Sequence, residues 1–297
     1  MSLPRRATII ASLTAFMLAV AKLFVGIATG SAAVLASAID SLLDMLISLF
    51  NLYAVRNSEK KVDDRYNYGR GKIEGFAGLL EGALIVASGL FIIYQGSKNI
   101  FTRSEISDLD IALWVMVFST VVTAALVIFL IHVAKKSRSM VVRADVIHYQ
   151  SDLYTNLGVI FSLVAIFFTD WHWIDGVVAI VIACVIIYSA FNISKEGFLM
   201  LMDRALEPEL VAKIEKTIAK APRVRSYHDL RTRRSANTNV VDLHMVFDEQ
   251  ILLKDAHDIS DGVEAAIRAL DPKAGWLITV HLDPRDDSQS ENSDRQS

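Results

Sequence analysis

Two short stretches set ionisable side chains inside apolar surroundings. Asp40-Ser-Leu-Leu-Asp44 holds two carboxylates four residues apart, and His148-Tyr-Gln-Ser-Asp152 holds an imidazole and a carboxylate at the same spacing. Positions i and i+4 of a helix share one face. Both stripes continue along that face, the first through Ser48 and Asn51 and the second through Asn156. A charge at bilayer depth costs about 3 kcal/mol or more, and two carboxylates one turn apart also repel. A divalent cation relieves both penalties. Three carboxylates and one imidazole form a four-coordinate donor set that suits Zn²⁺. Oxygens alone would favour Mn²⁺ or Mg²⁺; the single nitrogen moves the preference toward zinc, cadmium, cobalt or ferrous iron. A single such Asp would fit an interfacial residue facing water, but matched pairs in two segments argue for a function. Asp145, in "RAD", reads instead as a helix N-cap.

These residues need long apolar helices to position them. The chain has 297 residues, 53% hydrophobic, with a mean hydropathy of +0.39. About twenty apolar residues cross a bilayer as a helix. Six segments qualify: 8–29, 33–55, 75–97, 109–134, 146–169 and 173–201. The run after Met1-Ser-Leu-Pro-Arg-Arg is longer than a signal-peptide core, so it reads as an uncleaved first span. Basic residues cluster before span one (Arg5, Arg6), between spans two and three (Arg56, Lys60, Lys61, Arg65, Arg70, Lys72) and between four and five (Lys135, Lys136, Arg138, Arg143). The opposite loops, "TGSAA", "TRSEISDLD" and "DWHW", carry little positive charge. The positive-inside rule then puts both termini in the cytoplasm. The expected domains are a six-helix transmembrane unit over 1–203, a cytoplasmic domain over 204–285 and a disordered tail over 286–297.

The cytoplasmic domain reads as a small α/β unit. Residues 208–220 form a helix with Pro208 in its first turn. "RSYHDLRTR" and "NVVDLHMVF" alternate as strands, 253–270 form a second helix and "WLITVHLD" a last strand. Four of the seven histidines fall here, at His228, His244, His257 and His281. His281 and Asp283, two apart on a strand, point to one side. The net charge of −3 gives no reason to expect a nucleic-acid partner, the lone Cys184 allows no internal disulfide, and "GRGK" at 69–72 lacks the phosphate-cradling spacing.

Motifs in four regions, "DSLLD", "GKIE", "HYQSD" and "LMDRAL" with "HDLRTR", resemble the cation diffusion facilitator family, most closely its bacterial zinc and iron exporters. The resemblance implies a homodimeric divalent-metal/proton antiporter of the bacterial inner membrane, with a ferredoxin-like, metallochaperone-like cytoplasmic domain. It implies a Zn²⁺ transport site of Asp40, Asp44, His148 and Asp152. It also implies a cytoplasmic metal site, binuclear and near the dimer interface, of His228, His244, His281 and Asp283, with His257 as an additional ligand. Lys72 and Asp203 would form a salt bridge between the two domains. The family's exporters often carry a loop site of one Asp and two His; here Asp63 is present, but Tyr66 and Arg70 stand where the histidines would be. A guanidinium cannot ligate a cation, so this loop site is expected to be absent.

Two features of span three stay open. Gly75, Gly82, Gly89 and Gly96 recur every seven residues, with Gly78 nearby, as a sliding face, a dimer contact or a packing seam. Glu81 reads as a proton relay or as a partner for Lys22 of span one. The alternative to a transporter is a membrane-tethered metal sensor, which would need only the cytoplasmic histidines. An enzyme is disfavoured because there is no H-E-x-x-H. A primary pump would need a nucleotide motif, and four ligands would hold an ion too long for a channel.

Overall fold

A computed structural model describes residues 1–30, 32–101, 109–169, 171 and 173–286. The polar loop of 102–108 and the expected tail beyond residue 286 lie outside the described residues. The chain divides into two compact units, Met1–Phe198 and Leu199–Ser297.

The first unit is built from six long helices: α1 (Leu3–Thr29), α2 (Ala32–Ser58), α3 (Lys72–Phe101), α4 (Leu109–Ser137), α5 (Met140–Thr169) and α6 (Trp173–Leu201). The Ser2 hydroxyl accepts from the Arg5 N–H at 3.3 Å to start α1, and Gly30, at φ 69°, ends it in the left-handed conformation. Among the described residues, five of these six helices are long and apolar enough to cross a membrane by length and composition. The other, α5, has 30 residues, and its polar stripe of His148, Asp152 and Asn156 lowers its hydropathy.

The expectation for Asp145 is overturned here. Helix α5 begins at Met140, so Asp145 lies inside it and is fully buried. The capping role falls to Glu74 of α3, whose carboxylate accepts from the Ser139 hydroxyl at 2.8 Å and from the Met140 N–H at 3.2 Å. A carboxylate at a helix N-terminus satisfies orphan donors and complements the dipole.

Small residues let the helices approach. Ala7 and Ala11 of α1 pack with Leu126, Val127 and Leu130 of α4 and with Tyr149 of α5. The glycine stripe of α3 is a seam against α6 of the same chain. A Cβ on Gly82 would meet the Ala190 carbonyl at 2.8 Å, one on Gly89 would meet Ile187, and one on Gly96 would meet the Gly176 carbonyl at 2.9 Å. Gly78 departs from the stripe and faces Met140 of α5.

The second unit contains α7 (Pro208–Ala219), β1 (Ser226–Ser235), β2 (Thr238–Val246), α8 (Leu253–Leu270) and β3 (Gly275–Asp283). Its sheet has the order β1-β2-β3, with β1 antiparallel and β3 parallel to β2. Ile214 and Ile218 of α7 and Val263 and Ile267 of α8 bury the sheet face that carries Val241, Leu243 and Met245. Strand alternation sends His244 to the other face. The register sets His228 opposite His244 and His244 opposite His281, which makes a row of imidazoles across three strands.

Candidate metal centres

In the membrane unit, α2 and α5 bring Asp44, His148 and Asp152 together, with one ligand atom from each within 4.8 Å of the others. His148 Nε2 lies 3.2 Å from Asp44 Oδ1 but makes no hydrogen bond, although it is buried. A buried nitrogen left without a hydrogen bond, between two carboxylates, suits a cation of the zinc type. Asp40, one turn before Asp44, is exposed and is not among the three. Behind the site, the Tyr149 hydroxyl and Ser48 Oγ share a hydrogen bond at 2.7 Å. Lys22 does not reach for Glu81; its ammonium donates to Ser41 Oγ at 2.8 Å and acts electrostatically on Asp44, Asp152 and Asp40.

Glu81 has a different partner from the one expected. The Asn51 amide nitrogen donates to Glu81 Oε2 at 2.8 Å and to Asp145 Oδ1 at 2.7 Å, which joins α2, α3 and α5 in one buried cluster. The signal for this cluster was present in the sequence, because each member is a polar side chain in an apolar helix. The cap-like setting of Asp145 concealed it.

In the second unit, Asp283 is a hub. It lies 2.8 Å from His244 Nδ1 and 3.2 Å from His228 Nε2 through Oδ2, and 2.5 Å from His281 Nδ1 through Oδ1. Burial alone would raise the Asp283 carboxyl, but hydrogen bonding to His244 and His281 outweighs it and holds the group below the usual carboxylate range. His228, His244 and Asp283 each offer a ligand atom within 4.8 Å of the others. Two imidazoles and a carboxylate are a zinc-type donor set. His281 joins them through Asp283, and its ring centroid lies 4.6 Å from that of His244 with the planes tilted by 36°. His257 stands apart on α8, exposed and 3.8 Å from Asp261. The helices cover the opposite face of the sheet, so His257 does not reach the imidazole row of its own chain.

In the loop, both Asp63 oxygens are engaged. Oδ1 accepts from the N–H groups of Arg65 at 3.1 Å and Tyr66 at 2.9 Å, and Oδ2 pairs with Arg70. The Arg70 guanidinium also lies 4.2 Å over the Tyr66 ring. Asp203 accepts from Arg233 at 3.2 Å, and Lys72 opens α3.

A unit of long apolar helices followed by a small α/β domain defines a polytopic membrane protein with an appended α/β domain. Residues 8–202 match the cation efflux transmembrane domain, and residues 206–285 match the cation efflux protein cytoplasmic domain. The chain belongs to the cation efflux, or cation diffusion facilitator, family of transporters. It is 36% identical over 279 residues to the cation-efflux pump FieF of Citrobacter koseri, covering 94% of this chain and 92% of that protein. The FieF pump of Cronobacter sakazakii is 37% identical over the same coverage. A solved structure of CzrB in its Zn form aligns at a TM-score of 0.26 and 29% identity, over 28% of this chain and 93% of that one.

Proposed function

We propose that this cation efflux transporter is a homodimeric Zn²⁺/proton antiporter of the bacterial inner membrane, with both termini cytoplasmic. Asp40, Asp44, His148 and Asp152 are its proposed transport site, and Fe²⁺, Cd²⁺ and Co²⁺ are further substrates compatible with that donor set. The observation that carries this reading is the convergence of Asp44, His148 and Asp152 within 4.8 Å, with His148 Nε2 buried and without a hydrogen bond. A metal enters the deprotonated site from the cytoplasm. After the helices rearrange, protons from the far side compete for the same carboxylates and imidazole and release it. Ligand atoms bind a metal or a proton but not both, and that exclusion couples the two fluxes. Of the four side chains, the imidazole has the unperturbed pKa nearest neutrality, which makes His148 the proposed proton carrier of the site. Asp40, one turn before Asp44 on α2, is the proposed fourth ligand.

His228, His244, His281 and Asp283 form the proposed cytoplasmic Zn²⁺ site, whose role is to stabilise the dimer or regulate it. A ligand role for His257 would be toward a site shared with a second copy. The Lys72–Asp203 interlock between domains is a further proposal, supported by the family relationship.

Zn²⁺ uptake into proteoliposomes under an imposed pH gradient tests the central reading. Uptake that follows the gradient in the wild type and vanishes in Asp152→Ala supports it. A well-folded wild type that binds zinc at the cytoplasmic histidines but moves none would favour the sensor.

A further inference from the structure

Asn51, Glu81 and Asp145 make a buried polar cluster that the transport site does not use. Their side chains lie in three different helices, and each residue is at most 2% exposed. One amide nitrogen serves both carboxylates, through Glu81 Oε2 and Asp145 Oδ1. The remaining oxygens, Glu81 Oε1, Asp145 Oδ2 and Asn51 Oδ1, are buried and make no hydrogen bond. A buried acceptor without a donor is rare and costly. Two adjacent buried carboxylates cannot both stay ionised without a counter-charge. Among the described residues no Lys or Arg acts on the pair; Lys22 is bound to Ser41, and Arg143 is paired with Glu196 at 2.5 Å. The ionisable groups that act on the pair are its own two members and His148, and Asp145 in turn acts on the Tyr149 phenol, which is bound to Ser48.

We propose that Glu81 and Asp145 hold one proton between them and so form a proton-binding site separate from the metal cage. A proton supplies the missing donor, since a carboxylic acid carries an O–H while its ionised partner accepts. It also removes one of the two negative charges. A metal ion fits the cluster less well, because Asn51 turns its N–H₂ group toward both carboxylates, where an ion would need the amide oxygen.

The site lies close enough to respond to the cage. Asp145 precedes His148 by three residues, about one turn of α5. Loading the cage adds positive charge one turn away and favours the doubly ionised pair. The acid O–H then breaks, its electron pair stays on the carboxylate, and the proton leaves to water. The held proton follows from the cluster alone. Its exchange during transport rests on the antiport reading above.

The test uses the full-length dimer in detergent and Zn²⁺ as the ligand. Infrared difference spectra in H₂O and D₂O detect a protonated carboxyl, and a pH indicator in weak buffer counts protons released per zinc. The wild type is expected to show a deuterium-sensitive acid band that Asp152→Asn retains. Glu81→Gln or Asp145→Asn, whichever removes the acid, is expected to lose the band, as is the double variant. The loss should bring a fall of up to about one proton released per zinc. The two single variants keep the amide-sized hydrogen-bonding shape, so at least one is expected to fold. A band absent from the wild type or retained in the double variant overturns the shared proton. A lost band with an unchanged proton count overturns its exchange. Transport that ignores the pH gradient while the band persists would sink the antiport reading and leave the held proton standing.

Discussion

The α3–α6 seam allows one substitution to be predicted with opposite signs at two places in the same chain. At Gly197 of α6, an added Cβ would lie 2.5 Å from the Gly75 carbonyl oxygen and 2.8 Å from the Leu79 amide nitrogen. Both obstacles are backbone atoms, so no rotamer change relieves them. Comfortable contact needs about 3.5 Å, so Gly197→Ala must part the two helices by about 1 Å. A gap of that size forfeits up to about half of each neighbouring van der Waals well. Overpacking costs about 1–3 kcal/mol, and an unyielding backbone places this case at the upper end. Replacing a helical glycine by alanine returns about 1 kcal/mol. The net loss is about 2 kcal/mol, or roughly thirtyfold in an opening equilibrium. At Gly262 of α8 the added Cβ has no neighbour within 4 Å outside its own helix. There the same change keeps only the propensity gain of about 1 kcal/mol, roughly fivefold. Hydrogen exchange on the intact protein reads both. Amides of α3 and α6 should exchange about thirty times faster in Gly197→Ala, and those of α8 about five times slower in Gly262→Ala. Unchanged or slower exchange in α3 and α6 would refute the account of the seam.

Three other outcomes follow from the sites. Zinc binding of about 10–16 kcal/mol, shared over four ligands, is about 3 kcal/mol each. In an Asp283→Ala background, His148→Asp should therefore weaken zinc at the membrane site about a hundredfold and favour Mn²⁺; calorimetry showing unchanged zinc affinity would remove His148 from the ligand set. Asp283→Ala itself should lower the zinc bound per protomer while gradient-driven uptake persists, because its imidazole partners belong to the cytoplasmic unit; an unchanged metal count by elemental analysis would contradict that site. In the loop, the hydrogen bond from Arg70, helped by the Tyr66 and Arg65 N–H groups, outweighs slight local desolvation and lowers the exposed Asp63 carboxyl. The turn is thus stabilised by the ionised form above about pH 3.9, and that contribution is lost as pH falls through the lower folded midpoint. A carbon NMR titration should show a midpoint below about 3.9 that rises in Arg70→Ala; a wild-type midpoint at or above that value would refute the pairing.

Length and apolarity alone marked the six long helices, since a segment that spans a bilayer must satisfy its backbone internally. Helical period placed Asp40 with Asp44 and His148 with Asp152, and strand period placed His281 with Asp283. These are local rules, readable without any partner. Tertiary structure decided which side chains meet. The rotation of α2 against α5 brought Asp44 but not Asp40 into the group with His148 and Asp152. The sheet register aligned His228, His244 and His281, and helix packing on the opposite face kept His257 away from them. Asp145 was misread because an Asp near a helix start suits a cap, and only the docking of Glu74 from α3 shows the cap already filled. Asn51, Glu81 and Asp145 lie far apart along the chain, on helices whose order no local period encodes. Only the packing of α2, α3 and α5 makes them one cluster, since contact between helices depends on rotation and depth, which side-chain spacing within a single helix does not specify.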